Sequence, residues 1–236
     1  MHKETFFLDG KNALDYGIHL QNPIVFSEAE PVYDAETIPG RNGDLIFETG
    51  SFENRTAEAD CFILQNAAYS AVGMANKFLL ARRGHRRLQT SDDPEHYWLA
   101  VVENGVEVEN RKNVLIPFSV SFDCKPQRFL LDGENPMNFY QNGVVFNRYG
   151  FEALPKITVF GNGSGRLRVG DAVVEIHDIA GTLVLDSETQ NAYNEFSNRN
   201  NYINAPEFPL LKDGENHIEF SGGIERIEIV PRWWEL

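Results

Sequence analysis

The segment VLIPFSVSFDC, residues Val114–Cys124, has the clearest strand pattern in this chain of 236 residues. Apolar and polar side chains alternate along it, which is the period of two expected for a β-strand with one buried face. The side chains of the apolar face are Val114, Ile116, Phe118, Val120, Phe122 and Cys124. The same alternation recurs over Ala57–Leu64, and further short apolar strands are predicted in the second half. The sequence therefore predicts a mainly β protein.

One segment, Asn66–Arg83, has a helical pattern instead. Its apolar residues recur at spacings of one, three and four, and these residues form one stripe: Ala67, Ala71, Met74, Phe78 and Leu79. Arg82 and Arg83 are predicted in its last turn, where cations complement the helix dipole, and Gly84 is predicted to end it. The alternative for the basic run Arg82–Arg87 is contact with an acidic neighbouring subunit.

A turn-rich segment after Cys124 divides the chain. Beyond it, turn signals recur about every 8–12 residues, the spacing typical of a β-sandwich. We therefore predict an N-terminal domain at 1–132 and a C-terminal domain at 133–236, with the last few residues packing back on the first domain. Gly161–Gly165 is interpreted as a β-turn, and Asn191–Asn204, which has no periodicity, as a long exposed loop.

The charge balance restricts the possible partners. The chain has 35 acidic residues against 21 Lys and Arg, a net charge of −14. Such a chain is a poor candidate for holding nucleic acid or for binding an anionic membrane surface. Neither a secretory signal nor an apolar run near the ~18 residues of a membrane span is present, so no membrane association is predicted.

The acidic, histidine and cysteine residues are not spaced in the sequence as a catalytic or metal site requires. Asp92 and Asp93 are adjacent in a turn sequence, where neighbouring side chains point apart, and the six His lack metal-ligand spacing. No helix pattern follows Gly161–Gly165, as a phosphate-binding loop requires. Cys61 and Cys124 are interpreted as small buried hydrophobes, and a disulfide between them is the alternative. We predict a protein that is not an enzyme and that uses no metal or cofactor.

Aromatic residues near the end of the chain suggest a contact surface. Trp233 and Trp234 lie at the C-terminus, and Tyr193, Phe196 and Tyr202 lie in the Asn-rich segment. Large apolar side chains at a chain end require burial, so Trp233 and Trp234 are predicted to form an aromatic docking surface. The alternative is a surface on which sugar rings stack.

The segment Ile38–Asp44 by itself predicts a tight hairpin, because it joins a Pro-Gly turn to an Asn-Gly turn. Its residues are Ile38, Pro39, Gly40, Arg41, Asn42, Gly43 and Asp44. Other segments accompany it in a fixed order: Tyr16–Ile18, Thr49–Arg55, Ser91–Pro94, Val120–Pro126, Ala153–Ile157, Phe208–Asn216 and Ile227–Arg232. With these segments in this order, the chain resembles the distal tail proteins of siphovirus-type phages of Gram-positive bacteria along essentially its whole length.

The resemblance implies an N-terminal β-sandwich with one α-helix and a C-terminal galectin-like β-sandwich. It also implies a homohexameric ring at the distal tail tip of the virion, assembled in the bacterial host cytoplasm and encoded by a free phage or a prophage. The ring would join the tail tube protein to the tail fibre or tail-associated lysin hub, and DNA would pass through it without specific binding.

Two further expectations follow from this family. In some relatives the C-terminal domain binds sugar or carries an arm for a receptor-binding protein. We hypothesise that Ile38–Asp44 and its flanking strands make the ring contacts. The alternative function is a carbohydrate-binding module that recognises bacterial cell-surface glycans.

Overall fold

The computed structural model describes residues 4–64, 70–107, 115–195 and 197–236, and it is mainly β. The chain forms two compact units, Met1–Arg128 with Leu236, and Phe129–Glu235. The expected boundary near residue 132, as a separation between folding domains, stays a prediction. In the part of the chain that is described, no helix has the length and apolar composition of a membrane span.

The first unit is built on one large sheet with a helix beside it. Its strands are β1 (Phe6–Leu8), β2 (Lys11–Asn12), β3 (Ile18–Leu20), β4 (Val25–Phe26), β5 (Pro31–Glu36), β6 (Leu45–Phe52), β7 (Arg55–Leu64), β8 (Arg86–Thr90), β9 (His96–Val102) and β10 (Leu115–Leu130). The order in the sheet is β2-β1-β8-β9-β10-β7-β3, and β4 also pairs with β7. β5 and β6 form a separate two-stranded sheet.

The period-two pattern is confirmed in the two strands that cross the centre of this sheet. β7 and β10 pair in an antiparallel register from Leu64 and Leu115 to Arg55 and Cys124. The buried side chains of β7 include Ala57, Ala59, Cys61 and Ile63, and those of β10 include Ile116, Val120, Phe122 and Cys124. β10 continues six residues past the predicted end, to Leu130, although its pairing with β7 ends at Cys124.

Helix α1 (Ser70–Leu80) packs against this core through aromatic contacts. The Phe78 ring stacks on Tyr16 at 4.5 Å between centroids and lies 6.0 Å from Phe6. Phe6 in turn meets Phe122 of β10 edge to face at 5.7 Å. This arrangement removes a large apolar area from water and ties the helix to the sheet.

The helix differs from the predicted Asn66–Arg83 in extent and in its buried side. Residues 66–69 lie outside the described residues, and the helix ends at Leu80. Met74, predicted in the apolar stripe, is nearly half exposed, because the stripe that faces the sheet is centred on Ala75, Phe78 and Leu79. The prediction for Met74 is wrong.

The helix also ends by a different means from the one predicted. Arg82 and Arg83 lie beyond the last turn. Arg86 of β8 turns back instead, and its Nη1 donates to Phe78 O at 2.7 Å and to Leu79 O at 3.0 Å. These carbonyls lie at the helix C-terminus, where intrahelical partners run out. A cation does complement the helix end, but it comes from the next strand.

The second unit is built around one core, and eight of its strands belong to one sheet. Its strands are β11 (Met137–Phe139), β12 (Gly143–Asn147), β13 (Lys156–Val169), β14 (Ala172–Ile176), β15 (Gly181–Asp186), β16 (Asn191–Tyr193), β17 (Ile203–Asn204), β18 (Gly214–Val230) and β19 (Trp234–Glu235). The first half of β13 pairs with β15 and its second half with β14, while β18 pairs along both halves. Core side chains from the two long strands are Ile157, Val159, Leu167, Val169, Ile218, Ile227 and Ile229.

The β-turn expected at Gly161–Gly165 is wrong. These residues continue β13, and the register against β18 shifts there, as at a β-bulge. A Cβ at Gly161 would overlap Gly223 O, and a Cβ at Gly223 would overlap Asn162 O. The backbones approach too closely for any side chain, so glycine lets the two long strands change partners here.

The loop expected at Asn191–Asn204 is also wrong in part. β16 and β17 lie within it, together with a 3-10 turn at Asn200–Tyr202; residue 196 lies outside the description. Asn200 accepts from the Ala192 backbone N–H and donates to Asn191 Oδ1 at 3.0 Å. These asparagines satisfy turn backbone instead of indicating exposed chain.

Candidate interaction surfaces

The hairpin of β5 and β6 carries the predicted segment Ile38–Asp44 at its tip. Tyr33 pairs with Glu48, and Glu36 pairs with Leu45. Among the strands that the structure describes, none pairs with the hairpin. An isolated two-stranded hairpin is at best marginally stable in water, so it usually requires another surface.

Two glycines and one side-chain hydrogen bond shape the tip. Gly40 and Gly43 have φ of 86° and 79°, a region that glycine enters without a Cβ clash. Thr37 Oγ1 donates to Asp44 Oδ1 at 2.7 Å across the loop. All seven predicted residues, Ile38 to Asp44, are brought together in exposed positions. Their contribution to ring contacts stays a prediction.

The hairpin exposes apolar side chains on both of its faces. Cross-strand partners share a face. We call one the acidic face, formed by Asp34, Glu36, Leu45 and Phe47; the other holds Tyr33, Ala35, Ile46 and Glu48. Tyr33, Ile46 and Phe47 are 55%, 50% and 50% exposed. Apolar side chains grouped in this way on an otherwise polar surface are typical of protein–protein contacts.

The predicted aromatic pair at the C-terminus packs within the second unit. Trp233 is buried in its core. The Trp234 ring stacks on Phe151 at 4.5 Å, and its Nε1 donates to Glu152 O at 2.9 Å. Trp234 keeps part of its surface accessible. A docking role for the pair stays a prediction, and Trp234 is the member that a partner could reach.

A bidentate ion pair holds the segment just before these tryptophans. Arg232 Nη1 and Nη2 donate to the two Asp186 oxygens at 2.7 and 3.1 Å. Burial by itself would raise the pKa of Asp186, but the hydrogen bonds and charge of Arg232 outweigh it and hold the pKa below its ordinary value. The paired geometry fixes the direction in which the chain enters its last strand.

The outer surface of the second unit has a shallow cleft of about 330 Å³. Its lining comes from Asn142, Arg166, Arg168, Glu219, Phe220 and Ser221. Arg168 Nη1 lies 3.7 Å from Glu219 Oε2, so the two charges are partly matched. Sequence reasoning missed this site, because three separate segments contribute to it and no local motif marks it.

The residues that were considered for catalysis make contacts within the fold instead. Asp93 Oδ1 lies 2.6 Å from His96 Nδ1 and Asp93 Oδ2 lies 3.5 Å from Arg128 Nη1, whereas Asp92 lines a different cleft. Burial raises the pKa of the Cys61 and Cys124 thiols to about 12, so both are protonated at neutral pH. No group of three metal-ligating side chains occurs in the described parts of the chain.

Comparisons with known proteins agree with this architecture. Residues 11–124 match the family model of the phage tail protein RIFT-related domain, a range that includes the hairpin and α1. No curated protein matches the sequence significantly. Among solved structures the chain is similar to Dit (gp 19.1) of phage SPP1, described as a paradigm of the hub adsorption apparatus in Gram-positive infecting phages.

The likeness to the SPP1 protein extends over both units. The TM-score is 0.71 over 97% of this chain and 98% of that chain, at 14% sequence identity. At this level of identity the likeness shows the fold and not the function. Residues 11–124 thus match a phage tail protein RIFT-related domain, and the whole chain shares the fold of the SPP1 Dit protein.

Proposed function

We propose that the chain is a structural adaptor at the distal end of a phage tail. In this proposal six copies form a ring in the virion, which joins the tail tube protein to the tail fibre or tail-associated lysin hub. The phage tail domain and the likeness to Dit support the setting. The observation that carries the proposal is the hairpin, whose apolar side chains are exposed on both faces in a single copy.

A ring would provide a neighbouring surface that covers this exposed hairpin. When one surface of a copy binds a different surface of the next copy, the contact repeats from copy to copy. A closed ring forms if the rotation between neighbouring copies brings the last copy back to the first. Each hairpin then gains the covering that a two-stranded sheet requires. Removal of the exposed aromatic and aliphatic side chains from water contributes the favourable free energy of the contact.

The net charge suits a conduit for DNA. Six copies at −14 each carry −84 formal charges. Carboxylates facing a channel repel the phosphate backbone, so DNA passes without being held, whereas a basic lining would retain it.

The ring is tested by light scattering after size exclusion and by negative-stain electron microscopy of the purified chain. The wild type is expected to give a six-copy mass and six-fold rings. Arg41 lies at the tip and not on the acidic face, so Arg41→Glu tests the contacts of the tip alone and is expected to weaken assembly. Arg148→Glu in the second unit, which is also exposed and makes the same charge change, serves as control. Rings that are unaffected by Arg41→Glu would overturn the role of the tip, and a wild type that stays monomeric would overturn the ring.

A second candidate function is glycan or receptor-binding-protein attachment through a galectin-like second unit. The polar cleft with one aromatic side chain favours glycan binding, because sugar recognition combines hydrogen bonding with ring stacking. Retention of the whole chain on purified cell walls is the test, with Arg166→Ala expected to reduce it and Arg148→Ala as the control outside the cleft. Equal retention of both variants would exclude this cleft.

A further inference from the structure

A second surface of the first unit has the opposite charge from the hairpin. A cleft of about 190 Å³ lies beside the C-terminal end of α1. Lys11, Lys77 and Arg82 supply cations to it, and Tyr16 forms an aromatic wall that is backed by the buried ring of Phe78. We call these five residues the basic cleft. Their combination fits a ligand that is both acidic and apolar.

The carboxylate in the lining does not neutralise this cleft. Asp9 accepts from Arg86 Nε at 3.0 Å and from the Arg87 backbone N–H at 3.1 Å, and Arg82 Nη1 lies 3.5 Å from it. Asp9 is therefore already engaged by Arg86 and Arg82, and it partly matches the charge of Arg82. Lys11 and Lys77 remain as exposed cations on a chain whose net charge is −14.

The hairpin of a second copy has the matching composition. Between Pro31 and Phe52 there are four carboxylates and one arginine, and these residues are Asp34, Glu36, Asp44, Glu48 and Arg41. Its acidic face places Asp34 and Glu36 beside the half-exposed ring of Phe47. Because these side chains are exposed in their own copy, they are available to another molecule.

We propose that the acidic face of the hairpin in one copy docks in the basic cleft of the next copy. Phe47 lies against the aromatic wall, and Asp34 and Glu36 face Lys11 and Lys77. The contact is head to tail, so each copy donates one hairpin and receives one. This inference rests on the proposed ring and adds which two surfaces meet in it. Charge complementarity of this kind sets register and partner choice.

Charge reversal on each surface, followed by mixing, tests the proposal. Lys11→Glu with Lys77→Glu gives a cleft variant, and Asp34→Lys with Glu36→Lys gives a hairpin variant. Each is expected to stay monomeric at concentrations at least about 10-fold above the wild-type assembly midpoint. In an equimolar mixture each hairpin meets a cleft of opposite charge, so rings should return with the two variants alternating.

Matched controls place the same charge changes on the second unit. Arg148→Glu with Lys212→Glu matches the cleft variant, and Glu215→Lys with Glu225→Lys matches the hairpin variant; all four residues are exposed. Both controls should assemble as the wild type does. Circular dichroism of every variant reports folding, so loss of assembly by misfolding is recognised.

The possible outcomes separate this inference from the ring itself. If the wild type forms rings and both variants still assemble, the proposed docking is overturned but the proposed ring is not. Two folded, monomeric variants that fail to assemble on mixing would also overturn it, because the two surfaces then do not bind each other. Wild type that never assembles would overturn both. Rings that form only in the mixture would support the docking. The protein concentration at which half of the mixture is assembled should then rise with added salt.

Discussion

Removal of the buried guanidinium of Arg86 should selectively unfold the end of α1. Arg86 is 4% exposed and binds Asp9 and the carbonyls of Phe78 and Leu79 at once. Arg86→Ala leaves two helix carbonyls and part of a carboxylate without these donors. Arg82 lies 3.5 Å from the same carboxylate but is 70% exposed, so Arg82→Ala is a control that removes an exposed partner of Asp9 and leaves Arg86 on the helix carbonyls.

The magnitude follows from the number and burial of the groups left behind. A buried acceptor without its donor costs about 1–3 kcal/mol, and breaking a buried ion pair costs about 3–5 kcal/mol. We expect Arg86→Ala to lose about 3–5 kcal/mol, a large part of the roughly 5–15 kcal/mol that stabilises a typical domain. Arg82→Ala should lose about 0–1 kcal/mol, as surface pairs do.

Hydrogen exchange measured by mass spectrometry resolves this effect locally. Peptides that cover α1 should exchange at least about 100-fold faster in Arg86→Ala, because about 1.4 kcal/mol corresponds to a factor of ten. Peptides from β13 in the second unit should be unchanged. If α1 exchanged at the same rate in Arg86→Ala and Arg82→Ala, the assignment of Arg86 as the residue that secures the helix end would be refuted.

Two further predictions concern the second unit. Arg232 holds the pKa of Asp186 below its ordinary value of 3.8 despite burial, so this stabilisation is present above that pH and is lost as pH falls below it. The urea midpoint of wild type should therefore fall more steeply than that of Asp186→Asn between about pH 5 and pH 2, and parallel curves would contradict this. Gly161→Ala should destabilise by about 3 kcal/mol or more, because its Cβ would overlap Gly223 O. Gly163→Ala, with φ 75° but open space around its Cβ, should cost only about 1–2 kcal/mol in urea denaturation, and equal losses would show that the close approach does not matter.

The strands of the first unit were predictable because their pattern is local and strong. Along Ala57–Leu64 and Ile116–Cys124 every second side chain faces one core, so periodicity alone identifies the buried face. The tip Ile38–Asp44 was predictable for a related reason, since Gly40 and Gly43 can adopt the positive φ that a tight turn needs and that other residues avoid. The exposure of both hairpin faces was not predictable, because it depends on which parts of the fold pack against β5 and β6.

The wrong predictions concern segments whose structure is decided by residues that are distant in the sequence. Gly161–Gly165 has the composition of a turn, but its close approach to Gly223, on a strand far along the chain, makes it a bulge in a continuous strand. The basic run Arg82–Arg87 gave no sign of which arginine is buried. Arg86 was selected by Asp9, 77 residues earlier, and by the end of the helix that precedes it.

The sequence by itself determined the β class, the acidic balance, the hairpin tip and the family resemblance, since each depends on composition or on residues that are neighbours in the chain. Only the tertiary structure decided which apolar residues stay exposed, how β13 changes partners, and that Lys11 and Lys77 line one cleft opposite in charge to the hairpin. Burial and charge pairing are properties of residues brought together across the fold, and short-range patterns do not specify them.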